Sequence, residues 1–156
     1  MFRLKAEIDD WFKNIYGRGV IKTKWDEYYL CLLLGLSASR HNEIVGDRVD
    51  MVDYFIDDYR KSQYSIISLF LCAELGRLGI QFTDKNSAKA ILDQYLDADA
   101  PAKLTNKAFQ RLNEYAYGGY LVLNEKFSNK PADQTTFLQQ YDQLVVELAA
   151  KNPVWA

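Results

Sequence analysis

The chain has 156 residues, of which 49% are hydrophobic and 26% are charged, and its formal net charge is −2. These proportions are typical of a folded globular domain and exclude a disordered or fibrous protein. The 19 basic and 21 acidic side chains are mixed along the chain, so no basic stripe indicates a general attraction to nucleic acid or to an anionic membrane.

The first two helices are predicted from the spacing of apolar residues. Between positions 2 and 15 such residues recur at steps of three and four, which is typical of one helix face, and Gly17 is expected to end this helix. Thr23 followed by Asp26 predicts a capped helix start. The segment 28–36 is apolar nearly all round, so we predict that it forms the central core helix.

Two further helices are predicted in the middle of the chain. After a polar link at 39–43, apolar residues on one side of the segment 49–59 indicate a third helix. The segment 62–78 is also mostly apolar, and Gly79 is expected to end it as a C-cap. This fourth helix is therefore predicted to be enclosed by others.

The C-terminal half predicts three more helices, at 84–96, 105–127 and 135–150. The longest contains Gly118 and Gly119 side by side. Each glycine costs a helix about 0.8–1 kcal/mol relative to alanine. The pair therefore predicts either a neighbouring backbone packed closely against it or a kink.

Together these patterns predict an all-α fold, a compact bundle of six or seven helices that forms a single helical domain over residues 1–156. A β-hairpin at 117–124 is the alternative for that segment. No apolar stretch reaches the roughly 20 residues that a membrane-spanning helix needs, and the first ten residues lack the apolar region of a signal peptide. We therefore expect a cytoplasmic protein without membrane contact.

Histidine and cysteine, the residues of many catalytic and metal sites, are scarce. The chain has one histidine, His41, and two cysteines, Cys31 and Cys72. Each cysteine lies in an apolar run, where a free thiol usually packs as a small hydrophobe rather than forming a disulfide or a reactive thiol. We therefore predict no catalytic residue, no metal site and no cofactor, and we expect that the protein is not an enzyme.

The polar link that contains Arg40 and His41 is a candidate functional loop. Arg40 could hold a carboxylate or a phosphate through two parallel hydrogen bonds. His41 could be a general base or a proton switch, or simply an exposed loop side chain. An enzyme centred on His41 is the least favoured of three functional hypotheses, because no serine, cysteine or second histidine completes a motif.

A basic turn follows the first predicted helix. It carries Arg18 between two glycines, with Lys22 and Lys24 close behind, but it lacks the spacing of a P-loop. Together with Arg40, these residues could contact phosphates in a nucleic-acid-binding accessory protein, which is the second hypothesis. Such binding would weaken steeply with salt.

Tyrosine is the strongest compositional signal, with 11 residues in the chain. Tyrosine is enriched in protein interfaces because it offers a large contact area at a small loss of entropy. We expect six or more of the 11 to fill the core and the others to mark a contact surface. The predicted partner-binding residues are Arg40, His41, Arg48, Tyr54, Tyr117, Gly118 and Gly119.

Two short segments, 25–36 with Arg40 just beyond it and 112–119, are similar to segments of a known group of proteins. They resemble small accessory proteins of bacterial DNA-phosphorothioation and related phage-defence islands. The resemblance implies a bacterial intracellular setting and a subunit that works with larger ATPase or nuclease components; it implies no catalytic residue. The first hypothesis is therefore a non-enzymatic helical adaptor or assembly subunit that binds a protein partner or self-associates.

Overall fold

The computed structural model describes residues 1–155 and has seven α-helices and two short β-strands in that part of the chain. The elements in chain order are β1 (Arg3–Lys5), α1 (Ala6–Phe12), α2 (Lys24–Ala38), β2 (Arg48–Asp50), α3 (Asp57–Arg60), α4 (Gln63–Arg77), α5 (Lys85–Tyr95), α6 (Asn106–Lys126) and α7 (Gln134–Lys151). The predicted compact, mostly helical fold is confirmed, with a small two-stranded sheet in addition.

Helix α2 is the central helix, as predicted. Its capping box is formed: the Asp26 amide donates to the Thr23 hydroxyl oxygen at 3.3 Å, and the Thr23 amide donates to the Asp26 carboxylate at 2.8 Å. The helix ends at Ser39, whose left-handed backbone (φ 51°) turns the chain away from the helix axis. The C-terminal tail covers this end, where the Trp155 indole donates to the Leu36 carbonyl at 3.0 Å.

Glycines allow α2 and α6 to cross with their backbones in contact. A Cβ atom added at Gly119 would lie 2.7 Å from the Cys31 carbonyl carbon and 2.7 Å from the Gly35 amide nitrogen. From the other side, a Cβ added at Gly35 would lie 2.8 Å from the Tyr115 carbonyl carbon. The expectation of a backbone packed against the glycine pair is therefore confirmed, and the hairpin alternative is wrong because residues 117–124 are helical.

The first predicted helix begins later than expected. Residues 3–5 form β1, which pairs antiparallel with β2 in the register Leu4↔Val49, and the helix starts only at Ala6. The side chain of Asn113 on α6 accepts a hydrogen bond from the Arg3 amide at 2.9 Å and donates one to the Met1 carbonyl at 3.1 Å. Both contacts are long-range, so the local apolar spacing did not reveal them.

The third predicted helix is also wrong over most of its length. Residues 48–50 form β2, and only the four residues Asp57–Arg60 are helical. Pairing with β1 holds the first part of the segment extended. Phe55 is nevertheless buried, as its apolar position suggested.

A cluster of aromatic side chains in the core surrounds Phe2, near the N-terminus. Phe2 makes edge-to-face contacts with Trp25, Tyr28, Phe55 and Phe109, with ring centroids between 4.5 and 5.4 Å apart. Phe2 directly precedes β1, and its partners come from α2, the segment after β2, and α6. Burial of Phe2 thus joins the start of the chain to both crossing helices, since aromatic pairs add about 0.5–1.5 kcal/mol each beyond their buried area.

Both cysteines are free thiols, as expected, with Cys31 buried and Cys72 half-buried. Burial raises the pKa of the Cys31 thiol well above its ordinary value, which keeps it protonated. Most tyrosines also pack inward. Five are buried (Tyr28, Tyr95, Tyr115, Tyr120 and Tyr141) and three pack against the core (Tyr29, Tyr59 and Tyr117), so the expectation of six or more core tyrosines is confirmed.

Candidate functional site

The loop that follows α2 lies across α6. After Ser39 the Arg40 amide donates back to the Gly35 carbonyl at 2.8 Å, and the Asn42 amide donates to the Glu114 carbonyl at 3.0 Å. Gly118 lies beneath this loop, where an added Cβ would be 2.6 Å from the Arg40 carbonyl carbon. The fold therefore brings the backbone of Arg40 and His41 directly over Gly118, while Gly119 faces α2.

Gly118 and Gly119 are consequently buried, and they are used inside the fold. Our prediction that they contact a partner needs correction, because both are buried against backbone of the same chain. Their role is to let α2 and the loop approach the α6 backbone. The glycine pair correctly indicated a closely packed neighbouring backbone, but that backbone belongs to the same chain.

Arg40 is engaged in a bidentate ion pair on the surface. Its guanidinium donates to both carboxylate oxygens of Glu125, at 2.7 and 2.9 Å. The Glu125 carboxylate raises the pKa of Arg40, and Arg40 lowers the pKa of Glu125 in return. Arg40 thus fixes the start of the loop to α6. The two parallel hydrogen bonds that we predicted for an external carboxylate are made to Glu125 instead.

A network of buried ion pairs, formed by Glu74, Arg77, Arg111 and Glu114, lies near His41. The Glu74 side chain is 0% exposed and accepts hydrogen bonds from Arg77 at 2.7 Å and from Arg111 at 2.9 Å. Arg111 also pairs with Glu114 at 2.6 Å. The two carboxylates and two guanidinium groups balance in charge and tie α4 to α6, as a buried charge requires.

His41 packs at the edge of this ion-pair network. Its ring lies edge-on to the Tyr115 ring at 5.4 Å, and its Nε2 atom is 3.4 Å from a guanidinium nitrogen of Arg111. Burial, and then the positive charges of Arg111 and Arg77, lower the pKa of His41. A neutral imidazole can accept a hydrogen bond from Arg111, so His41 fits the network as a partner of the guanidinium.

Tyr115 lies in the same region and carries an unsatisfied hydroxyl. The hydroxyl oxygen is buried and has no hydrogen-bond partner within the described residues. Burial, followed by the negative charge of Glu74, raises its pKa. The tyrosine thus stays neutral at physiological pH.

The other predicted partner-binding residues lie around the two-stranded sheet. The Lys5 ammonium donates to the Val45 carbonyl and lies 5.9 Å from the centre of the Tyr117 ring. Arg48 is paired in register with Lys5, and Arg3 forms a 2.8 Å ion pair with Asp50. We call this continuous set, Arg3, Lys5, Val45, Arg48, Asp50 and Tyr117, the ribbon surface.

Exposure differs among the members of the ribbon surface. Val45 is 70% exposed, whereas Tyr117 is half-buried and stacks on Tyr120 at a centroid distance of 6.2 Å. Tyr54, also predicted to bind a partner, is 45% exposed and lies beyond the end of β2. Sequence reasoning missed Val45, because two adjacent apolar residues, Ile44 and Val45, in a short polar loop give no periodic signal.

A polar groove of about 500 Å³ borders the ribbon surface. Arg3 and Arg48 line it from the strands, and Asn106 and Gln110 line it from the first turns of α6. These amide and guanidinium groups offer hydrogen-bond donors and acceptors next to the half-buried Ile44 of the loop.

The basic residues of the nucleic-acid hypothesis are not brought together. Lys24 forms an ion pair with Asp9, while Arg18 lies in a turn whose carbonyl accepts a hydrogen bond from Gln134. Arg18, Lys22 and Lys24 lie at the start of α2, and Arg40 lies just beyond its end. A 15-residue helix is about 22 Å long, so these four residues form no single phosphate-binding patch.

Comparison of the chain with protein-family models, with curated proteins and with solved structures found no match. Among residues 1–155, no helix is long and apolar enough to cross a membrane. The same residues contain no group of three or more histidine, cysteine, aspartate or glutamate side chains placed to hold a metal ion.

Proposed function

We propose that this protein is a non-enzymatic adaptor or assembly subunit that acts by protein–protein contact through the ribbon surface. One observation carries the proposal: Val45 is 70% exposed beside the open edge of a two-stranded sheet, and Lys5 joins it to the half-buried ring of Tyr117. An apolar contact surrounded by charged side chains is the usual composition of a protein interface.

The ion-pair network supports this role as a rigid base for the surface. Glu74 and Glu114 are fixed by Arg77 and Arg111 beneath the loop, and the Asn42 amide bonds to the backbone of Glu114. A preorganised loop loses less entropy when it binds, so more of the contact energy appears as affinity.

The cellular setting is part of the same proposal. The two segments that resemble phage-defence accessory proteins, 25–36 and 112–119, lie in α2 and α6 and include the glycines of the helix crossing. We therefore propose a bacterial cytoplasmic complex, in which the α2–α6 crossing is the scaffold and the ribbon surface is the contact. The larger ATPase or nuclease components implied by the resemblance are the proposed partners.

Site-specific photo-crosslinking in the native cell tests the proposal. A photoreactive amino acid replaces Val45 in one variant and Tyr64 in the control; Tyr64 is 69% exposed but belongs to α4, outside the ribbon surface. We expect position 45 to crosslink to a defined protein and position 64 not to do so. The absence of any crosslink from position 45 at native expression would overturn the proposal.

A further inference from the structure

The outer edge of β2 has free backbone groups. The Ala6 amide donates to the Asp47 carbonyl, and the Met51 amide donates to the Phe2 carbonyl, so the backbone groups of residues 47 and 51 face β1. Because the direction of these groups alternates along a strand, those of Arg48 and Asp50 face away from β1. Within the described residues they make no hydrogen bond, and both side chains are exposed.

The order of charges along this edge is self-complementary. If β2 pairs antiparallel with β2 of a second copy, and Val49 lies opposite its counterpart, each Arg48 faces an Asp50 across the two-fold axis. The outward backbone groups of residues 48 and 50 then form four hydrogen bonds in the hydrogen-bonded positions of the ladder. Opposite charges placed directly across strands stabilise a sheet, whereas like charges destabilise it.

The residues on either side of β2 fit the same arrangement. Val45 is 70% exposed before the strand, and Tyr54 is 45% exposed after it. Antiparallel pairing about Val49 brings the segment before one strand alongside the segment after the other. Val45 of each copy would therefore lie near Tyr54 of the other, and both exposed apolar side chains would be covered.

We propose that the chain forms a two-fold symmetric dimer through the outer edge of β2, giving a four-stranded sheet in the order β1, β2, β2, β1. This inference rests on the proposed function and names one partner of the ribbon surface, a second copy of the same chain. Each Asp50 would lie between Arg3 of its own chain and Arg48 of the other. Charged edge strands normally prevent association. Here, however, the two-fold axis places a positive charge, Arg48, opposite a negative charge, Asp50, at both positions.

Sedimentation velocity on two charge-reversal variants tests the dimer. Arg48→Asp places aspartates opposite each other at both positions, and Asp50→Arg does the same with arginines. We expect the dissociation constant of each variant alone to rise at least about tenfold, since every facing pair becomes repulsive. An equimolar mixture of the two variants restores both opposite-charge pairs, so we expect it to form a heterodimer as strong as the wild-type dimer.

The outcomes separate this inference from the proposed function. A wild-type chain that stays monomeric up to millimolar concentration overturns the dimer, and this result needs no variant to fold. Single variants that dimerise like the wild type, or a mixture no more associated than its components, also overturn it. If the chain is monomeric but position 45 still crosslinks to a different protein, the dimer fails while the proposed function stands.

Discussion

Substitution of Gly119 by alanine is the sharpest test of the helix crossing. The new Cβ would overlap the Cys31 carbonyl oxygen, and it would lie 2.7 Å from the Cys31 carbonyl carbon, which is 0.7 Å less than the 3.4 Å at which ordinary van der Waals contact begins. Its nearest neighbours are backbone atoms of α2, so no flexible side chain can move aside. The two helices must separate instead.

The expected change in the free energy of unfolding follows from two opposing effects. Overpacking of a well-packed core costs roughly 1–3 kcal/mol, and the rigid neighbours favour the upper end of that range. Alanine in a helix returns about 1 kcal/mol relative to glycine. We therefore expect the free energy of unfolding to fall by about 2 kcal/mol, which lowers Tm by roughly 4–8 °C for a domain of this size.

Urea unfolding followed by circular dichroism measures this change, and Gly76→Ala is the matched control. Gly76 is also helical, but the three atoms nearest to an added Cβ belong to the side chain of Val154 in the C-terminal tail. We expect the control to change the free energy of unfolding by less than about 1 kcal/mol, since the helix gain of about that size offsets a small shift of the tail. A Gly119→Ala protein as stable as the control would refute the close crossing.

Three further predictions concern charge. Burial, followed by the nearby carboxylate of Asp9, raises the pKa of Glu27 to about 9 from an ordinary 4.5. The free energy of unfolding of the wild type should therefore fall as pH rises between these values, by up to about 1.4 kcal/mol per pH unit. Thermal melts of Glu27→Gln should lack this slope; retention of the slope would show that another group causes it. Arg111→Ala should cost about 3–5 kcal/mol in urea unfolding, because it leaves the Glu74 and Glu114 carboxylates with only the guanidinium of Arg77 as a buried countercharge. Loss of the exposed Lys89–Asp93 pair through Lys89→Ala should leave the urea midpoint nearly unchanged. A similar loss of stability in both variants would argue against the ion-pair network. Fluorescence anisotropy with duplex and single-stranded DNA at low salt should detect no binding, and salt-sensitive binding lost on Lys22→Ala would restore the nucleic-acid hypothesis.

The long helices could be predicted because their signals are local. The structure places α4, α5, α6 and α7 within two residues of the ends that apolar spacing and capping residues indicated. The strands could not be predicted in the same way. Leu4 and Val49 pair across 45 positions, and the apolar residues around them fit a helical spacing as well as a strand.

The candidate site could also be predicted only as far as its signals are local. The pairs Glu74 with Arg77, and Arg111 with Glu114, are three residues apart in sequence and can each be recognised on a helix face. Their assembly into one buried network depends on the packing of α4 against α6, which no local pattern contains. The carboxylate of Glu74 inside an apolar helix was the available signal, because a buried charge requires partners.

Amide hydrogen exchange at a series of protein concentrations tests the central claim, that the outer edge of β2 is a contact surface. The amides of Arg48 and Asp50 should exchange rapidly in dilute protein and become protected as the concentration rises. The Met51 amide, which already donates to Phe2 within the chain, should be protected throughout. Exchange rates of the Arg48 and Asp50 amides that stay the same at every protein concentration would contradict the account.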